Sequence, residues 1–152
     1  MKRSTIAIIA AGIGAAWLLR PKATVTTSEQ YDLGRASYGA AVQNFAQAIA
    51  RAEGFTVNGT IPQRANNPGA LKLAGWPTIN GIAVFDSIDQ GWAALHNQLQ
   101  LIIDGRSRFY TLDMTIKQMG DTWEADPGDA WANNVAANLN ADVNAPLWQV
   151  LV

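Results

Sequence analysis

The stretch AAVQNFAQAIARAEGF, Ala40 to Phe55, decides the fold of this chain. Val42, Phe45 and Ile49 recur at helical spacing, so Gly39 to Glu53 is expected to be a helix with one apolar face. Glu53 closes that run and Gly54 follows it. A carboxylate at the end of an apolar helix has two reasons to hold its proton: burial disfavours the charged form, and the negative end of the helix dipole pushes the same way. Such an acid suits proton donation to a glycosidic oxygen. The plain alternative is a helix-end Glu bathed in water.

Downstream, Asn58-Gly59 and Asn66-Asn67-Pro68-Gly69 read as turns. Ala70 to Leu73 and Ile82 to Phe85 are expected to be short strands, with Asn80-Gly81 as the turn signal of a small hairpin. Ile88, Trp92, Leu95, Leu99 and Ile102 form a core stripe. Ser87 with Gln90 supplies a capping box and Gly105 the stop. Thr115 with Gln118 caps a helix that carries Ile116, Met119 and Trp123. Asp126-Pro127-Gly128-Asp129 is expected to open the last long helix, with Trp131, Val135 and Leu139 on its face. A closing turn, Ala145 to Leu151, offers Leu147, Val150 and Leu151 to the core. The expected fold is mainly α, with one small hairpin after the first helix.

Upstream, Met1 to Lys22 differs from the rest. Lys2 and Arg3 precede an uncharged, almost wholly apolar run, Ser4 to Leu19, and Arg20, Pro21 and Lys22 follow. This N-terminal apolar helix is expected to target a membrane. An uncleaved anchor is favoured over a cleaved signal peptide, because the run ends in bulky Trp17-Leu18-Leu19 rather than a small-x-small site. Ala23 to Ser37 is a polar tether, and the compact domain runs from Tyr38 to Val152.

The totals exclude several chemistries. The 152 residues carry a formal net charge of -1 with 15% charged residues, and the basic residues form no run that could track a phosphate backbone, so no nucleic-acid partner is expected. There is no Cys and one His. Thiol catalysis, Cys-type zinc sites and His-pair metal sites are thereby excluded, and no metal or cofactor is expected. His96, between apolar positions on a helix, reads as structural or surface rather than catalytic.

Taken in order, Ile49 to Phe55, Ile61 to Lys72, Ala83 to Ser87, Gln90 to Leu95 and Asp113 to Ile116 resemble a phage and bacterial domain of the lysozyme-like superfamily. Its members carry an Asn-Asn-Pro-Gly-Asn-Leu loop, a Phe-x-x-x-x-x-Gly-Trp-x-Ala-Leu helix start and a later Met-Thr-Ile stretch. The resemblance spans Phe45 to Leu151. It implies a lysozyme-like helical domain that cleaves the β-1,4 bond between N-acetylmuramic acid and N-acetylglucosamine in peptidoglycan, as a membrane-tethered lytic transglycosylase. Glu53 would be the catalytic acid and then base. The implied setting is a membrane facing the periplasm or cell wall, or a phage virion. The alternative is a virion or envelope structural protein that keeps the fold and glycan binding without efficient cleavage. Two departures from the pattern favour that alternative: Ala70 stands where the loop has Asn, and Trp131 where many relatives have Tyr.

The expected glycan-binding residues are Asn66, Asn67, Gly69, Trp76, Gln98, Tyr110 and Trp131. Asn66 and Asn67 suit acetamido groups, but Asn before Pro68-Gly69 equally suits turn chemistry. Trp76, beside Pro77 in a loop, suits stacking on a sugar face. Asp86 and Asp89 sit where carboxylates simply favour a helix start, and Glu124 is expected to be solvated.

Overall fold

A computed structural model describes residues 39–124 and 129–152. The expected apolar segment, the tether and the residues Asp126 to Gly128 lie outside them. Among the described residues the chain is mainly helical. The helices are α1 (Ala40–Ala52), α2 (Ile61–Arg64), α3 (Ile88–Ile103), α4 (Ile116–Trp123), α5 (Ala130–Leu139) and α6 (Leu147–Leu151), and one hairpin pairs β1 (Thr78–Ile79) with β2 (Ile82–Ala83). No helix among the described residues is long and apolar enough to cross a membrane.

Helix α1 is the hub, packing against α3, α5 and α6. Its Val42, Phe45 and Ile49 are buried as the spacing predicts, joined by Leu95, Leu99 and Ile102 from α3, Ile116 and Met119 from α4, Val135 from α5, and Leu147 and Leu151 from α6. The ends are set locally. Gly54, at φ +71°, lets the chain turn so that its N–H donates to the carbonyl of Arg51 (3.0 Å) and the N–H of Phe55 to that of Ala50 (2.9 Å). This pair of bonds is the Schellman closure, which a left-handed glycine makes cheaply. Glu53 is thereby the capping residue of α1. Gly105 ends α3 in the same way, with bonds from Gly105 to Ile102 and from Arg106 to Leu101. The capping box of α4 forms as expected between Thr115 and Gln118. At α3 only half of the expected box forms. Ser87 accepts from the N–H of Gln90, but the Gln90 side chain reaches one residue further back, to the N–H of Asp86 (2.9 Å).

Three expectations are corrected here. Ala70 to Leu73 is not a strand. It runs beside β2 with one backbone bond, Ala83 N–H to Leu71 carbonyl (2.9 Å), and the true partner of β2 is the shorter β1, in the register Thr78↔Ala83 and Ile79↔Ile82. Asn80 and Gly81, both at positive φ, leave only two residues between the strands, so the hairpin closes tightly around the turn. Ile88 is on the α3 stripe but 48% exposed, because it is the first helical residue and precedes the point where α3 enters the core. The last long helix begins at Ala130, and its capping residue, Asp129, makes no side-chain cap bond.

A smaller core of Leu71, Ala83, Phe85 and Ala94 lies under the Asn66–Leu71 loop, with Leu73, Trp76 and Trp123 packed against it. Ala70 in this loop is left-handed, at φ +47°. That conformation costs a residue with a Cβ about 1 kcal/mol, whereas Asn tolerates it better. Ala70→Asn is therefore expected to raise stability by about 0.5–1 kcal/mol. Urea denaturation should show a higher midpoint at unchanged slope, and a lower midpoint would refute the strain argument.

Candidate active site

Glu53 is half-buried where α1 meets α4 and α5. Its Oε1 accepts two indole N–H bonds, one from Trp123 at the end of α4 (2.9 Å) and one from Trp131 at the start of α5 (2.8 Å). The two indoles stack, with centroids 5.7 Å apart and planes 24° from parallel. Gly120 brings the helices this close: a Cβ there would lie 3.0 Å from Ala132 Cβ and 3.2 Å from the Trp131 ring.

These contacts act on the proton in opposite directions. Burial pushes the Glu53 carboxyl up from 4.5 to about 7, against the two indole donors, which favour the anion; Glu124 adds a smaller upward push and Lys72 a smaller downward one. Both donors go to Oε1. Among the described residues Oε2 takes no hydrogen bond. The group is an acid poised near neutrality, with Oε1 fixed by two donors.

A cleft of about 520 Å³ runs between the Asn66–Leu71 loop and the turn after α3. Gly69, Gln98 and Tyr110 line it, as does Trp123; Glu53 is not on its lining and is reached through Trp123. Tyr110 is buried, packs against Trp123 at 5.7 Å and touches Phe109 at 6.4 Å, so aromatic rings form one wall. Burial also pushes the Tyr110 hydroxyl up.

Other predicted site residues lie elsewhere. Asn67 is fully buried: its amide donates to the carbonyls of Leu71 (3.0 Å) and Ala83 (2.8 Å) and its Oδ1 accepts from the N–H of Leu71 (2.9 Å). An amide so committed has nothing left for a sugar, and Asn67 is loop scaffold. Asn66, at φ +52°, donates to the carbonyl of Phe85 (3.1 Å) and ties the loop to the segment after β2. Trp76 is not a free stacking ring: it packs edge-on to Phe85 at 5.0 Å. Trp131 is 2% exposed, so it positions Glu53 and does not face the cleft. Gly69, on the cleft lining, packs closely on α3: a Cβ there would lie 2.8 Å from Leu95 Cδ1, so that side chain would have to shift. Among the described residues Asp86 and Asp89 do not act on Glu53, and the acid that does is Glu124, which is half-buried rather than solvated. His96 is buried and stacks on Trp92 at 6.0 Å. Among the described residues no group of His, Cys, Asp or Glu could hold a metal ion.

Trp123 is the site residue that sequence reasoning missed. A signal existed: it shares a helical stripe with Ile116 and Met119, and an indole N–H facing a core needs an acceptor.

Trp131→Phe keeps a ring but removes one donor to the carboxylate. The anion loses a stabilising bond, so the Glu53 carboxyl is expected to titrate above its present value of about 7. Carboxyl-carbon NMR of the labelled side chain reads this directly, and a downward or absent shift would contradict the assigned bond. The chain matches no protein-family model, no curated protein and no solved structure.

Proposed function

We propose that this protein cleaves the β-1,4 glycosidic bond between N-acetylmuramic acid and N-acetylglucosamine in peptidoglycan, as a lytic transglycosylase of lysozyme-like fold with Glu53 as its one acid/base. The observation that carries the reading is the neutral-poised carboxyl of Glu53, pinned through Oε1 by two indoles, one of which lines a cleft with an aromatic wall. Protonated Glu53 gives its proton to the leaving oxygen as the C1–O bond breaks. The carboxylate then takes a proton from the muramyl 6-hydroxyl, whose oxygen bonds to C1 and closes a 1,6-anhydro ring. Hydrolysis of the two-carboxylate kind needs a second acid at a set distance across the bond. Among the described residues only Glu124 acts on Glu53, and its effect is to help keep the proton on.

Digestion of purified peptidoglycan followed by mass spectrometry of the muropeptides tests this. Products lighter by one water than their hydrated counterparts are expected, and hydrated reducing ends would replace the transglycosylase with a muramidase. No release at all would favour a virion or envelope structural role. The position of Glu53 behind Trp123 rather than on the cleft lining is the observation on that side. The apolar segment Ser4 to Leu19, with basic residues on both flanks, supports a membrane tether for the domain. Full-length protein is then expected to stay in the membrane fraction through carbonate and salt washes; release by either would refute the tether.

A further inference from the structure

Among the described residues the cleft is lined by three cations, Lys72, Arg106 and Arg108, and by no acidic side chain. A neutral saccharide does not call for them. Among the described residues none of the three is in a salt bridge, and all three are exposed. They converge from two sides: Lys72 follows the Asn66–Leu71 loop, and the arginines flank Ser107 just after α3. The arginine turn is firmly built. The N–H groups of Arg106 and Ser107 both donate to the carbonyl of Leu101 (2.8 and 3.0 Å), and Ser107 Oγ accepts from the N–H of Tyr110 (3.2 Å). Three like charges held around one opening raise the local potential, and only an anion offsets it. The cleft is thus unlike the chain as a whole, whose net charge is -1. Phe109, 69% exposed, stands between Arg108 and the buried Tyr110, so an apolar face for a sugar ring adjoins the cationic rim.

We propose that Lys72, Arg106 and Arg108 bind a carboxylate carried on the lactyl arm of muramic acid, while the aromatic wall takes the sugar. The inference rests on the peptidoglycan reading and adds to it a requirement for an acidic substituent. The guanidinium fork matches a carboxylate with two parallel hydrogen bonds. That carboxylate has two chemical sources: the free lactyl acid where no peptide is attached, or the acidic groups of an attached peptide stem.

The test uses the full chain carrying Glu53→Gln, so that substrate is bound and not cut, with and without Arg106→Gln and Arg108→Gln together. Binding is measured by co-sedimentation with intact peptidoglycan sacculi and with amidase-treated sacculi, and by titration with a chitin oligosaccharide. The arginine changes are expected to weaken binding about tenfold, to intact sacculi where the stem supplies the carboxylate or to amidase-treated sacculi where the freed lactyl acid does, with binding to the neutral chitin oligosaccharide retained. A difference on intact sacculi that amidase treatment erases assigns the carboxylate to the stem; a difference that appears or grows after amidase treatment, which frees the lactyl carboxyl from its amide, assigns it to the lactyl acid. High salt is expected to weaken binding to intact sacculi in the unsubstituted-arginine protein as well. Equal binding of both intact and amidase-treated sacculi with and without the arginines overturns the proposal, as does equal loss of chitin binding. Failure to bind either polymer in any form defeats the glycan reading itself.

Discussion

Glu53→Gln is expected to lower peptidoglycan cleavage about a hundredfold or more, and at the same time to stabilise the protein at alkaline pH. The amide keeps an oxygen for the two indole donors but has no proton to give. Muropeptide release read by mass spectrometry should therefore collapse, while Asp86→Asn and Asp89→Asn, at the start of α3 and outside the field on Glu53, should cost far less. Equal cleavage by wild type and Glu53→Gln would end the acid/base assignment. The stability half follows from linkage. The folded carboxyl titrates at about 7 against an ordinary 4.5, so between these values the folded state holds a proton that the unfolded chain releases. Any stability due to this proton is fully present below about pH 4.5 and is lost as pH rises through about 7. At about 1.4 kcal/mol per pH unit, the loss amounts to about 3 kcal/mol by pH 8. Gln does not titrate, so the variant escapes this loss. Urea denaturation at pH 5 and pH 8 should show wild type falling relative to the variant. Parallel behaviour would mean that Glu53 carries no raised pKa. The same titration sets the direction for activity: proton donation needs the acid form, so cleavage should decline as pH rises through about 7.

The second large effect is expected at Gly91. A Cβ there would lie 1.8 Å from the carbonyl oxygen of Asn66 and 2.9 Å from Pro68 Cδ. The obstacle is backbone, and that backbone is held by the bond from Asn67 N–H to the Pro62 carbonyl (2.9 Å) and by the Asn67 amide bonds. Neither side can yield without breaking buried hydrogen bonds. Gly91→Ala is expected to cost about 3 kcal/mol or more, at the upper end of overpacking effects. Gly39→Ala is the control, since a Cβ at Gly39 meets nothing within 4 Å. Denaturation midpoints decide the matter, and a Gly91→Ala protein within about 0.5 kcal/mol of wild type would show that the loop does not rest on α3 as described.

Gly91 also shows where reading the sequence stops. The Gly-Trp pair is visible at the start of α3, but the carbonyl that forbids a side chain there comes from Asn66, across a loop and a hairpin. Ala70 is similar. Its departure from an Asn-containing loop reads in the sequence as a mark against efficient cleavage, whereas its left-handed backbone makes strain the more direct consequence.

Several features that depend on neighbours a few residues apart were legible in the chain itself. Helix α1 and its glycine stop, the end of α3 at Gly105, the Thr115–Gln118 cap and the Asn80-Gly81 turn are all closed by bonds within one or two turns of backbone, and local residue types decide them. The carboxylate at the end of α1 was legible too, as a candidate. Only the tertiary structure decided its chemistry. The indoles that hold Glu53 come from positions 70 and 78 residues downstream, and the burial that lifts its pKa is made by three helices at once. It decided likewise that Asn67 faces inward and spends its amide on the backbone. Desolvation and hydrogen-bond direction belong to the packed arrangement of distant segments, and no local spacing encodes them.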